Sequence, residues 1–155
     1  MIIGMRSISS ILAVLLLSAG AASAQAPDGL ISVLSRYSVK QTIDRFEQAA
    51  KGKGQNIFAR VDHSAGVQKI GTTFRPTELL IFGNPLGGTP LMECAQTAGI
   101  DLPMKALAWQ DAKGQVWLGY NDPRFLMQRH GIRDCGAVAE NLTKVLAALA
   151  QEAVK

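Results

Sequence analysis

Apolar residues recur along this chain in two rhythms, and these set out its elements. Val39, Ile43, Phe46 and Ala50 follow one another at steps of four, three and four, which gathers them on one face of a helix. Ser38 and Gln41 at the head of that run read as a capping box, in which each side chain satisfies a backbone N–H at the helix start. Gly52 and Gly54 stop it. A second helical stripe, Val138, Leu142, Val145, Leu146 and Leu149, predicts a last helix over residues 135–153, with Asp134 as its cap. Between them the rhythm shortens to two. Ala106 and Ala108 alternate with Lys105, Leu107 and Trp109, while Val116, Leu118 and Tyr120 alternate with Trp117 and Gly119. This predicts paired strands over 104–110 and 115–120, joined by a turn with Gly114 where positive φ is wanted.

Strands are also expected over residues 30–37, 55–62 and 78–83, and a short turn or helix over 65–70. Leu79, Leu80, Ile81 and Phe82 are apolar at every position, the pattern of a strand covered on both faces. A Gly-rich loop follows at 84–88. Thr89 then reads as an N-cap with Pro90 first in a helix that runs to Ala98. Asp122 and Pro123 repeat that pairing. The main elements run β-α-β-β-α-β-β-α, with short helices besides. The expected fold is one α+β domain with a largely antiparallel sheet.

The N-terminus changes the picture of where this domain works. Arg6, an apolar run from Ile8 to Leu17 broken only by Ser9 and Ser10, and Ala22-Ser23-Ala24 follow the order of a secretory signal. That run is shorter than the roughly 20 residues of a membrane span. The expectation is a signal over 1–24 cleaved after Ala24, a flexible lead-in over 25–29, and a domain over 30–153, periplasmic or secreted and free of the membrane once the signal is removed. The formal charge of +4 is a mild excess, with Lys and Arg scattered rather than gathered in the basic stripe of a nucleic-acid-binding protein. Cys94 and Cys135 are the two cysteines. In an oxidising compartment an even count suggests a disulfide, the alternative being two buried thiols.

Several stretches carry a resemblance. They are Asp62-His63-Ser64-Ala65, the run ELLIFGNPLGGTPLM from Glu78, Leu102-Pro103 with Trp109, the run VWLGYNDP from Val116, and Arg129-His130-Gly131. In order and spacing these resemble the domain-of-unknown-function family 302 across nearly the whole expected domain. The resemblance implies a fold like the TATA-binding-protein-like α+β group, a sheet curved around a long helix, and does not imply DNA binding. The cysteines stand outside the family pattern, which favours an added staple over a shared metal site.

Candidate chemistry is sparse. His63 beside Asp62 at a strand end fits a general base or a metal ligand as well as a ring that fixes a turn. His130 closes a short helix, where a histidine is stabilising, or pairs with His63 across a pocket. Asn84, Gly87, Gly88 and Thr89 sit where a strand gives way to a helix N-terminus, a geometry that holds small anions. The run has neither the Gly-Lys-Ser/Thr ending nor the spaced glycines of a nucleotide site. Asn121 and Asp122 lie at a strand-to-helix junction, where capping explains Asp122. Trp109 and Trp117 on facing strands read as a cross-strand pair, as the lining of a pocket or as core packing. Close Cys or His pairs of a structural zinc site do not occur, so no metal is expected, and no pattern points to a cofactor. Three functions follow: an exported binding or accessory module for a small ligand, an enzyme with His63 as acid/base, or an interaction protein that pairs through its sheet as a homodimer.

Overall fold

A computed structural model describes residues 24–25, 29–68 and 70–155 of the chain. The expected signal, apart from Ala24, and residues 26–28 of the lead-in lie outside the described residues. The elements in order are β1 (Ala24–Gln25), β2 (Leu30–Ser35), α1 (Val39–Gly52), β3 (Asn56–Asp62), α2 (His63–Gln68), β4 (Thr77–Gly83), α3 (Pro85–Cys94), a 3-10 segment (Gln96–Ile100), β5 (Met104–Gln110), β6 (Val116–Asn121), α4 (Pro123–Arg129) and α5 (Gly136–Val154). The strands form a six-stranded sheet in the order β1-β2-β6-β5-β4-β3. Every neighbouring pair is antiparallel. The α+β expectation holds, with the two-residue edge strand β1 added.

The helix starting at Val39 forms because both halves of its capping box are made. Ser38 accepts from the Gln41 N–H, and the Gln41 side chain accepts from the Ser38 N–H. Its apolar face, Ile43, Phe46 and Ala50, is completely buried. Burying Ile43 and Phe46 contributes roughly 1.5–3 kcal/mol each. Phe46 meets Phe82 of β4 edge to face, with ring centroids 5.0 Å apart. Ala106 and Ala108 of β5, both fully buried, leave room for α1 to lie close on the sheet. The second cover is α5, which packs on α1, β2 and β6 through Leu146, Leu149 and Ala150. Buried polar groups between these layers are paired: Thr42 bonds Ser35 at 2.7 Å and the Ser38 carbonyl at 2.8 Å. At its far end α5 is held by Arg45, which donates to the Ala153 and Glu152 carbonyls while stacking on Tyr37.

One expectation about β4 is corrected. Leu80 and Phe82 are buried under α1, but Leu79 and Ile81 point to the other face and stay partly exposed. The strand is covered on one side only. Of the readings of the tryptophans, the cross-strand pair holds and the core reading does not. Trp109 and Trp117 sit directly opposite in the β5–β6 register, on the open face and outside the core. A Cβ placed on Gly119 would lie 2.8 Å from Trp109 Cζ3 and 3.3 Å from Leu30 Cδ1. Gly119 therefore lets the indole lie flat over β6. Trp117 Nε1 donates to Asp111 at 2.9 Å, which anchors the hairpin turn.

Edge strand β3 is tied to α1 through charge. Arg60 bonds Asp44 at 2.7 Å, Glu47 at 3.3 Å, and Glu78 of β4. The Lys40 ammonium first, then Arg60, holds the Asp44 carboxyl below its usual range. Lys51 and then Arg60 do the same for Glu47. A depressed carboxyl pKa stabilises the fold above the unfolded-state value and loses that contribution as pH falls through the folded value.

Three outcomes are expected. Gly119→Ala lowers the urea unfolding free energy by about 1–3 kcal/mol, and adding Trp109→Phe recovers part of it. Stability measured by thermal unfolding is flat from about pH 7 to 5 and declines below about pH 4. Arg60→Met lowers stability at neutral pH by about 1–2 kcal/mol and shallows the acid decline.

Candidate functional site

The motif from Thr77 to Met92 does not contain a loop of the expected kind. Asn84 leaves β4 in an extended conformation and caps α3, its side chain accepting from the Leu86 N–H at 2.9 Å. Pro85 takes the first helical position, where a missing N–H costs nothing. The Asn84 carbonyl accepts from Gly87 at 2.9 Å and from Gly88 at 3.0 Å. The glycines are thus the first turn of the helix, and Thr89 and Pro90 lie inside it. The helix stops at Cys94, and the Ala95 N–H bonds back to Leu91. The expected helix end at Ala98 is taken instead by the 3-10 segment.

Beside this turn opens a cleft of about 480 Å³. Asn84, Gly87, Gly88, Thr89 and Met92 form one wall, and Leu142 and Val145 of α5 the opposite one. Phe58, Met104 and Pro103, the last joined to Leu102 through a cis peptide, line the rest. No ionisable side chain lines it. The first-turn amides of Leu86, Gly87 and Gly88 are already bonded. With these N–H donors already bonded, and no ionisable side chain among the described lining residues, the geometry suits an uncharged ligand better than a small anion. Missing from the sequence reading were the α5 wall and Phe58, which come from distant parts of the chain. Leu142 and Val145 belong to the apolar stripe read on the last helix, while Phe58 of β3 carried no such signal.

The disulfide forms. Cys94 at the end of α3 is bonded to Cys135 at the start of α5, with Cα atoms 6.5 Å apart. It joins the two helices whose side chains face each other across the cleft. Cys135 itself stands at the N-cap of α5, so Asp134 does not cap that helix.

The other predicted residues lie apart from the cleft lining. Asp62 Oδ1 accepts from Ser64 Oγ at 2.6 Å and from the Ala65 N–H at 2.9 Å, which caps α2. The Ser64 bond, then the Ala65 amide, keeps that carboxyl below its usual range. Asp62 is therefore spent as a cap, while His63 is exposed beside it. Asp122 caps α4 through the Arg124 N–H at 2.9 Å, as its position before Pro123 implied. Asn121 ends β6 opposite Leu30. His130 does not face His63. Its ring bonds Thr97 Oγ1 at 3.1 Å through Nδ1 and Asp101 Oδ2 at 2.6 Å through Nε2. Arg129 holds the other Asp101 oxygen at 3.0 Å. The ring is only 7% exposed, and it ties α4 to the 3-10 segment that follows α3. Asp101 and Thr97 lie about thirty residues earlier in the chain, and no local pattern announces them. Among the described residues no group of His, Cys, Asp and Glu is arranged to hold a metal ion.

His130→Ala is expected to cost about 1.5–3 kcal/mol in chemical denaturation, since it strips a buried carboxylate of a partner. Thr97→Val should cost less, about 0.5–1 kcal/mol.

Comparison with known proteins places this geometry in a family. The chain is 54% identical over 104 residues to the fluoride-specific ion channel FluC 1 of Brucella suis biovar 1 (strain 1330), covering 67% of this chain and 41% of that protein. It matches the fluoride-specific ion channel FluC 2 of Brucella melitensis biotype 1 equally well, over 38% of that protein. The chain thus spans less than half the length of these relatives. In fold it is similar to an uncharacterized conserved protein DUF302 from Bacillus stearothermophilus, with a TM-score of 0.73 at 22% identity, over 82% of this chain and 98% of that one. The profile of the domain of unknown function DUF302 matches residues 31–149, from the second residue of β2 into the last helix, and the chain belongs to that family.

Proposed function

We propose that this domain is an exported binding module that holds a small, largely uncharged ligand in the cleft between α3 and α5. One observation carries the reading. The most distinctive stretch of the sequence, NPLGGTPLM, forms one wall of a cleft of about 480 Å³, within the range of small-molecule sites. Its apolar lining, with Asn84, Thr89, Gln55 and Asn141 supplying a few polar groups, is the usual make-up of such a site. The signal-like segment before the domain supports export. The Brucella relatives, of which this domain matches less than half, support an accessory role beside a membrane protein. No helix among the described residues is long and apolar enough to cross a membrane.

Nile red, an uncharged dye, is the first probe. Leu142→Trp fills the cleft and is expected to weaken dye binding at least about tenfold, the equivalent of about 1.4 kcal/mol. Leu34→Glu, on the sheet face away from the cleft, leaves it unchanged. Dye binding that survives Leu142→Trp would sink the reading. Native mass spectrometry of exported protein should also show the chain starting at Gln25 and, where a ligand is retained, a mass adduct that Leu142→Trp loses.

A further inference from the structure

The face of the sheet turned away from α1 and α5 is itself apolar. Leu34 of β2, Trp117 of β6, Leu107 of β5, Leu79 and Ile81 of β4 and Val61 of β3 lie across it in register. Leu34 is 50% and Val61 38% exposed, whereas the residues of the helix-covered face, such as Leu80, Ala106 and Leu118, are fully buried. From these positions we infer that this face is the interface of a homodimer, two copies packed sheet to sheet about a two-fold axis.

Size and charge favour a second copy over other occupants. Five strands spaced about 4.8 Å apart, each about 20 Å long, make a face of roughly 500 Å² in projection. A pair would bury about 1,000 Å² in projection and more with side-chain relief, which reaches the size of specific interfaces. A two-fold interface sets each residue pair against its mirror, so a face bearing one sign of charge would repel itself. Among the outward positions of the described strands, Lys105 alone is charged, and its Nζ is drawn aside to the Asp101 carbonyl at 2.8 Å. Beyond Lys105, the described outward positions hold none of the basic residues that would draw the face to an anionic lipid surface. Two such sheets pack about 10 Å apart with strands within about 30° of one another. This inference is independent of the cleft: ligand binding and pairing use different surfaces, and either can fail alone.

Sedimentation velocity on the exported protein, from about 1 to 100 µM, reads the state directly. The expected result is a dimer for the native sequence and a monomer for Leu34→Glu and for Leu34→Lys, with far-ultraviolet dichroism unchanged. Either charge should break pairing, because each copy would present the same sign. Leu107→Glu at the centre of the face should do the same. If it fails to fold, the Leu34 variants decide, since that side chain is half exposed. A native chain that stays monomeric at the highest concentration overturns the proposal. So does a dimer that persists in both Leu34 variants, which would place the contact at an edge such as β3. A monomer that co-sediments with phosphatidylglycerol vesicles, more strongly as Leu34→Lys, would assign the face to lipid and also overturn it.

Discussion

An antiparallel sheet has two faces, and this chain supplies long helices for one of them. Nearly everything else follows from how that one face is closed. Ala106 and Ala108 keep the centre of the sheet low, so α1 lies close and Phe46 reaches Phe82. The helix at the other end of the chain, α5, fills the space that remains over β2 and β6. Since both helices must fit on one side, their ends become fixed points. Arg45 and Tyr37 clasp the end of α5, Arg60 draws the β3 edge toward α1, and the disulfide secures the start of α5 to α3. The cleft is the gap left where α3 cannot follow the sheet and α5 begins.

Local rules were legible wherever they acted alone. The capping box at Ser38, the Asp122–Pro123 helix start and the β5–β6 hairpin were all readable from a few adjacent residues, and each formed as the pattern implied. Misreadings arose where two local rules competed. Both Asn84–Pro85 and Thr89–Pro90 carry a cap followed by proline. The earlier pair won because Asn84 both caps Leu86 and bonds the Gly54 carbonyl, a contact with a segment thirty residues away. A run of four apolar residues in β4 similarly says that burial is favourable, without saying how many layers are present to provide it. Only the count of helices settles that, and both long ones lie on the same side.

The site shows the same division. Asn84, Gly87, Gly88 and Thr89 were recognisable as a group and do form one wall of the cleft. What they face was not legible, because Phe58, Leu142 and Val145 reach the cleft through tertiary packing. The histidines were conspicuous for their scarcity, yet His130 is consumed in a clasp with Asp101 and Thr97. Its partners lie on and just after a 3-10 segment whose position depends on α3 ending early, so the structural role of the histidine, expected at a helix end, is completed by contacts that no local pattern shows.

The closure of the core by α5 also bears on the order in which the molecule can be made. Leu146, Leu149, Ala153 and Val154 belong to the last turns of α5, and β2 must wait for β6 before it has an inner neighbour. A chain delivered from its N-terminus would hold an incomplete core until α5 had emerged. Contacts of such long sequence separation form slowly. The architecture thus makes completion of this core wait for α5, so the earlier elements spend that interval without their second cover.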